Sequence, residues 1–377
     1  MSIEIHEHAP GTGLREFLRV PKRLFRDDPN YIPPLRMELE ERLTPGKNPF
    51  WEHAEGVLFT AYADGQLAGR ISAQIDHEHL RVHQDGAGFF GFFDTIEDEA
   101  VARALLDRAS AWLGERGMKL ARGPFSLSIN EESGCLVDGF DTPAALMMGH
   151  HRPYQGRLAE AAGFEKAKDL LCWKYRVEEP PPRAARAWEQ VQALPEVRFR
   201  SVDPSRMRRE LDTILEIFND AWADNWGFVP ATPAEVDKMA KDMRLLIDPR
   251  FAFFVEVEGE PVGMAVSLPN LPEAIYDLDG ELLPFGWAKL LYRLKVKKLK
   301  SARLMLLGLK RKMRGVKRYG ALSTAMYAEL AYRGMRHGFE WAELSWTLED
   351  NRLINLGIKA MRGQVYKTYR IYERAIR

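Results

Sequence analysis

The turn Arg314-Gly315-Val316-Lys317-Arg318-Tyr319-Gly320-Ala321 combines small residues, positive charge and the approach to a helix. Gly315, Gly320 and Ala321 would let backbone N–H groups come close to a ligand, and Arg314, Lys317 and Arg318 add charge. The helix predicted from about Leu322 to His337 offers free N–H donors and the positive end of its dipole. That chemistry suits a diphosphate; the competing reading is a plain basic loop that caps a helix. The turn belongs to a longer stretch, Leu282 to Ala328, with thirteen Lys or Arg residues and no Asp or Glu. The whole chain balances 54 basic against 54 acidic residues, so this stretch is a local surface for an anion. Its first half reads as a basic amphipathic helix. Trp287, Leu290, Leu291 and Leu294 fall on one face, with Lys289, Arg293, Lys297 and Lys300 on another. Such a helix either lies on anionic lipid, over Trp287–Lys300, or packs on its own domain with a solvated basic face.

Those residues need a scaffold, and composition bounds it. A chain of 377 residues, 46% hydrophobic and 29% charged, has core material for two globular domains. The neutral balance argues against a general nucleic-acid binder, and no nucleic acid is expected, although contact of the basic surface with tRNA stays open. Cys135 and Cys172 read as reduced thiols of a cytosolic protein. The start, MSIEIHEHAPG, lacks the apolar segment of a signal peptide. No run of about 18 apolar residues is present, so no transmembrane helix is expected. The expected location is cytoplasmic, with contact at the inner membrane peripheral at most. His77-Glu78-His79 and His150-His151 show no third ligand, so no metal is expected.

The Pro-rich stretch Glu178 to Arg183 reads as a stiff linker between domains at 1–179 and 180–377. The two halves echo each other. Val57 to Ala63, Asp64-Gly65 and Gln66 to Ile75 read as a hairpin. Phe251 to Val257, Glu258-Gly259 and Glu260 to Leu268 read as the same hairpin, with Gly69 and Gly263 in matching places. Arg116-Gly117-Met118 and His337-Gly338-Phe339 are matching helix ends. The second half carries an insertion at about 270–302, which contains the basic amphipathic helix. Each half is predicted as helices, a hairpin, a strand, a helix, a strand, a short helix and a final strand.

This order resembles the GNAT superfamily of acyl-CoA-dependent N-acyltransferases. Lys317-Arg318-Tyr319-Gly320-Ala321 matches the first five positions of the family's diphosphate motif, with Leu322 where a sixth, small residue belongs. Asn351, after the next strand, matches the Asn that contacts the pantetheine arm. The family's usual thiolate-protonating Tyr is replaced by Ile358 in the second half and by Ala159 in the first. The first half also has an acidic Phe93 to Glu99 at the diphosphate position. Three segments, Gly123 to Gly134, Asn225 to Pro230 and Lys367 to Glu373, resemble the tandem-GNAT group that includes bacterial ceramide synthases.

The resemblance implies an α/β (α+β) fold of two tandem GNAT-like domains, each a mixed, mostly antiparallel sheet flanked by helices. The first domain would be degenerate and the second would bind acyl-CoA. The implied reaction is acyl transfer from a fatty acyl-CoA to a long-chain amine, as in ceramide synthesis on a sphingoid base, with no metal. Alternatives are another amine acceptor, of amino-acid or aminoacyl-tRNA type, or an inactive CoA- or lipid-binding module. The base would be a carboxylate, Glu343 on the central strand or Glu349 or Asp350 just past its end. Tyr366, Tyr369 and Tyr372 are candidates for the missing acid. Asn130, Glu131, Asn225 and Trp226 would meet the acceptor.

Overall fold

The computed structural model describes residues 1–243 and 246–376. The chain divides into two compact units. The first holds Met1–Leu170, Ile275–Leu290 and the stretch from Lys367 onward, and the second Leu171–Ala274 and Leu291–Tyr366.

In the first unit, strands Ala54–Ala63 and Gln66–Asp76 form the expected hairpin. Asp64 and Gly65 both take positive φ at its tip, the backbone that a tight two-residue turn between right-twisted strands requires. Ile3–His8 pairs on the outer side, and Ala87–Thr95 continues the sheet antiparallel on the other. Helix Glu99–Gly114 then crosses the sheet and leads to Leu120–Gly123, which lies parallel to Ala87–Thr95. Leu105, Leu106 and Trp112 of the helix pack on Phe59, Ile71 and Phe90. The stretch from Lys367 onward joins this sheet: Tyr372–Ala375 pair antiparallel with Leu120–Gly123. Lys367 is fully buried there, its ammonium donating to the carbonyls of Gly139 and Thr142.

The second unit repeats the order. Ala252–Val257 and Glu260–Pro269 form a hairpin through Glu258 and Gly259, again both at positive φ. Val197–Ser201 flanks it, and Ser301–Leu309 extends the sheet. Helix Leu322–His337 follows, ending on Gly338 in the left-handed conformation common one position beyond a helix. Strand Trp341–Leu348 then runs parallel to Ser301–Leu309. Ala325, Met326 and Ala328 of the helix bury against Phe253, Val255, Leu304 and Leu344. Both units are thus mixed, mostly antiparallel sheets with helical cover.

The basic insertion forms a shorter helix than its periodicity predicts. It is α-helical over Gly286–Tyr292 and widens to a π-helical turn at Arg293–Lys297, and none of these residues is buried. Leu283, Phe285 and Trp287 are 80%, 76% and 51% exposed, and Leu291, Tyr292 and Val296 are also exposed.

Candidate active site

In the second unit the two parallel strands separate. Their pairing runs from Ser301 opposite Trp341 to Leu304 opposite Leu344 and stops, although the strands continue to Leu309 and Leu348. Ser301–Leu309 is held to its other neighbour along its far half, with Gly308 opposite Met264 and Leu309 opposite Gly263. The Trp222 ring lies on Gly308, where a Cβ would have no room. The result is a wedge opening at the carboxyl ends of both strands.

The basic turn follows the first of these strands. It is made of two 3-10 turns, Arg311–Met313 and Lys317–Tyr319, joined through Gly315 at φ 76°. A Cβ on Gly315 would meet nothing within 4 Å, and one on Gly320 would meet only the Lys317 carbonyl, at 3.5 Å. Arg314 anchors the turn, Nη2 donating to the Ala221 carbonyl at 2.6 Å. Arg318 pairs with Glu196 at 2.7 Å, while Lys317 is exposed. The helix after the turn starts on Ala321, which provides no side-chain cap. Its first N–H groups therefore have neither an intrahelical nor a side-chain acceptor. The matching helix of the first unit differs: the Asp98 carboxylate caps it by accepting from the Val101 N–H. That helix start already holds an anion of its own.

At the apex of the wedge stands a buried polar group. Glu343 is fully buried. Its Oε1 accepts from the Ser345 hydroxyl at 2.5 Å and lies 3.3 Å from Arg303 Nε, and Arg303 also donates to Ser345 Oγ at 2.8 Å. The half-buried Tyr366 donates its hydroxyl to Glu343 Oε2. The structure thus brings Glu343 and Tyr366 together. Glu349 is exposed at the end of the same strand, its carbonyl accepting from Asn355 Nδ2. Asn351 begins helix Arg352–Ala360, its side chain accepting from the Ile354 N–H at 3.5 Å. Tyr369 stands in the first unit, fully buried, with its hydroxyl donating to the Gly149 carbonyl at 3.0 Å.

Asn225 and Trp226 lie in the loop after helix Met207–Trp222 and are both half-buried. Asn225 N–H donates to the Trp222 carbonyl at 2.8 Å. Asn130 and Glu131 lie in the first unit, between the short strands Phe125–Ser126 and Glu132–Ser133. There Arg42 faces three carboxylates: it donates to Glu38 at 3.0 Å and Glu132 at 3.1 Å, and lies 3.8 Å from Glu131. Burial pushes the Glu131 carboxyl up to about 8; Arg42 opposes the shift, and Glu38 and Glu132 add to it. Among the described residues, no group of three or more His, Cys, Asp or Glu could hold a metal ion.

No family model matches the chain. A protein of Caulobacter vibrioides named bacterial ceramide synthase is 45% identical over 365 residues, 96% of this chain and 95% of that protein. The chain belongs to the bacterial ceramide synthase family. Protein YghO of Escherichia coli is 38% identical over 96% of this chain and 93% of its own length. A tandem GNAT protein from the clavulanic acid pathway superposes with a TM-score of 0.58 at 12% identity, covering 100% of this chain and 99% of that one. The chain is accordingly an acyl-CoA-dependent N-acyltransferase with two tandem GNAT-like domains, and an amine is its acceptor. For a ceramide synthase relative the structure adds residues that sequence reasoning missed: Arg303 and Ser345 beside Glu343, and Arg42 opposite Glu131. A signal existed for Arg303. Arg303 and Glu343 are lone charges inside two apolar strands, and charges there need each other. Ile358, in place of the superfamily's usual Tyr, is 2% exposed in the core.

Proposed function

We propose that this enzyme transfers a fatty acyl chain from acyl-CoA to the amine of a sphingoid base, forming a ceramide-type amide. The carrying observation is the likeness, over nearly the whole of both chains, to the relative named ceramide synthase. The diphosphate is assigned to the turn Arg314–Ala321, where the uncapped helix start, exposed Lys317 and open space at Gly315 and Gly320 support it. Asn351 is assigned to the pantetheine arm. Glu343 is assigned as the base, acting through Tyr366. The amine attacks the thioester carbonyl and a C–N bond forms. Its proton passes by Tyr366 to Glu343, and a backbone N–H of Ser301–Leu309 stabilises the oxyanion. The C–S bond then breaks and the thiolate leaves, taking its proton from Tyr366. Glu349, exposed, and Tyr369, buried on a carbonyl, are the weaker assignments. Asn130 and Glu131 in the first unit, and Asn225 and Trp226 in the second, are assigned to acceptor recognition. The exposed apolar side chains of 283–296, interleaved with Lys and Arg, support peripheral contact with anionic lipid.

The test is to incubate the purified protein with acyl-CoAs of several lengths and a panel of amines, following CoA release and the amide by mass. Turnover with sphinganine or 3-oxosphinganine is expected. Turnover confined to water-soluble amines or to aminoacyl-tRNA would sink the sphingoid reading. Gly320→Glu is expected to abolish CoA binding; an unchanged affinity in the folded variant would remove the diphosphate assignment.

A further inference from the structure

An apolar pocket lies inside the second unit, and nothing in the reaction described above uses it. One wall is the paired part of the wedge strands, through Ala302, Leu304, Ala342 and Leu344. The other wall is helix Leu322–His337, through Tyr327, Ala331 and Gly334. It encloses about 520 Å³, counting the space at its open mouth. Phe251 and Phe339 line its far end. From Tyr327 to Gly334 it follows the helix for roughly 10 Å at the α-helical rise. Neighbouring strand residues point to opposite faces. Arg303 and Glu343 therefore face away from it, and their charges stay on the other side of the sheet. The Tyr327 hydroxyl has no hydrogen-bond partner among the described residues.

We infer that this pocket receives the alkyl chain of the acyl donor and sets how long that chain can be. The inference rests on the assignment of the donor diphosphate to the turn at Arg314–Ala321. With that end held at the start of helix Leu322–His337, the wedge apex at Leu304 and Leu344 is where the two strands stop parting. The same two leucines, both buried, line the pocket. A chain continuing past the apex along the helix meets mostly apolar walls, which is favourable for methylenes and for nothing charged. The donor is the occupant because the helix that begins at the diphosphate turn is itself the pocket wall. Small residues give the pocket its room: Ala302, Ala331 and Ala342 present only methyl groups to it, and Gly334 lets Val177 approach the helix closely.

The experiment measures binding of CoA, octanoyl-, lauroyl- and palmitoyl-CoA to the whole protein without an amine, for the natural chain, Ala342→Val and Ala342→Met. Each methylene that enters the pocket should tighten binding about fourfold. In the natural chain, affinity should therefore rise with chain length. In Ala342→Met the rise should stop at shorter chains, weakening palmitoyl-CoA at least tenfold while CoA binds as before. Ala342→Val, readily accommodated in a strand, should shift the same way by less and carries the test if the larger variant does not fold. An equal loss at every chain length, or no change, overturns the inference. Failure of the natural chain to bind CoA at all overturns the donor assignment and the inference with it. In turnover with one donor and amines of different alkyl length, the ratio of variant to natural kcat/KM should be constant. A ratio that falls with amine length would give the pocket to the acceptor and overturn the inference.

Discussion

Glu343 illustrates what a single buried side chain needs. A carboxylate with no exposure is tolerable only because Arg303, Ser345 and Tyr366 all address it. Glu343→Gln keeps the shape and removes the proposed base, so kcat should fall about 100-fold or more while CoA affinity stays the same; single-turnover rates and CoA titration check both halves. Arg303→Met leaves the carboxylate without its cation. It should cost about 3 kcal/mol of stability, and less when Glu343→Leu is added, because the uncompensated charge goes too; urea unfolding of the two singles and the double measures the coupling. Glu131 behaves oppositely to a paired carboxylate. Its pKa lies near 8 in the folded protein against an ordinary 4.5, so the folded state holds a proton that the unfolded chain releases. Its contribution is complete below about pH 4.5 and is lost as pH rises through 8. Glu131→Gln should therefore melt higher than the natural chain at pH 8.5 and equal to it near pH 4.5. A difference independent of pH would contradict the protonated carboxyl.

Between the two units, one helix start differs in a single group. Asp98 caps helix Glu99–Gly114, and Ala321 leaves helix Leu322–His337 open. An N-terminal carboxylate satisfies the orphan N–H groups and the positive dipole end, which is also what a phosphate does. Ala321→Asp should thus separate two properties that usually move together. It should stabilise the second unit by about 1 kcal/mol through the new cap while weakening CoA binding, because the side chain would occupy the place proposed for the diphosphate. Calorimetry with and without CoA reads both. A variant of unchanged CoA affinity would show that the helix start is not where the diphosphate sits. Asp98→Ala should destabilise the first unit by a similar amount without any effect on CoA.

At the scale of the whole molecule, the insertion presents apolar side chains that no core claims. Leu283, Phe285, Trp287 and Val296 are exposed among Lys289, Lys295, Lys297 and Lys298. Removing exposed side chains changes stability little, so Phe285→Ser with Trp287→Ser should leave the melting temperature within a degree or two. The same change should reduce co-sedimentation with anionic vesicles several-fold, since both the apolar anchor and its placement on the lipid are lost. Binding by the natural chain should weaken as salt screens the basic residues, yet not vanish. Tighter binding to tRNA than to vesicles at the same salt would assign the surface to nucleic acid instead.

Much of this was legible in the order of residues. The hairpins at Asp64-Gly65 and Glu258-Gly259, the helix Leu322–His337 and the basic turn before it are local features. Turn chemistry, periodicity and small residues act over a few positions and leave their mark in the chain. Glu343 and Tyr366 could be named as candidates, but neither residue encodes the contact between them. That contact depends on how two distant strands are brought together. The apolar pocket has no motif, because its walls come from residues far apart whose individual types are ordinary core types. The wedge is invisible for a similar reason: it exists where backbone pairing stops after Leu304 and Leu344, although both strands continue to Leu309 and Leu348. The membership of Lys367–Ala375 was likewise decided by tertiary pairing, since a strand joins whichever edge offers it hydrogen bonds and a place to bury Lys367. The sequence by itself determined the local chemistry of the basic turn and of the insertion. Tertiary structure alone decided which carboxylate is buried beside a tyrosine and where the apolar pocket lies. Those are properties of surfaces brought together from across the chain.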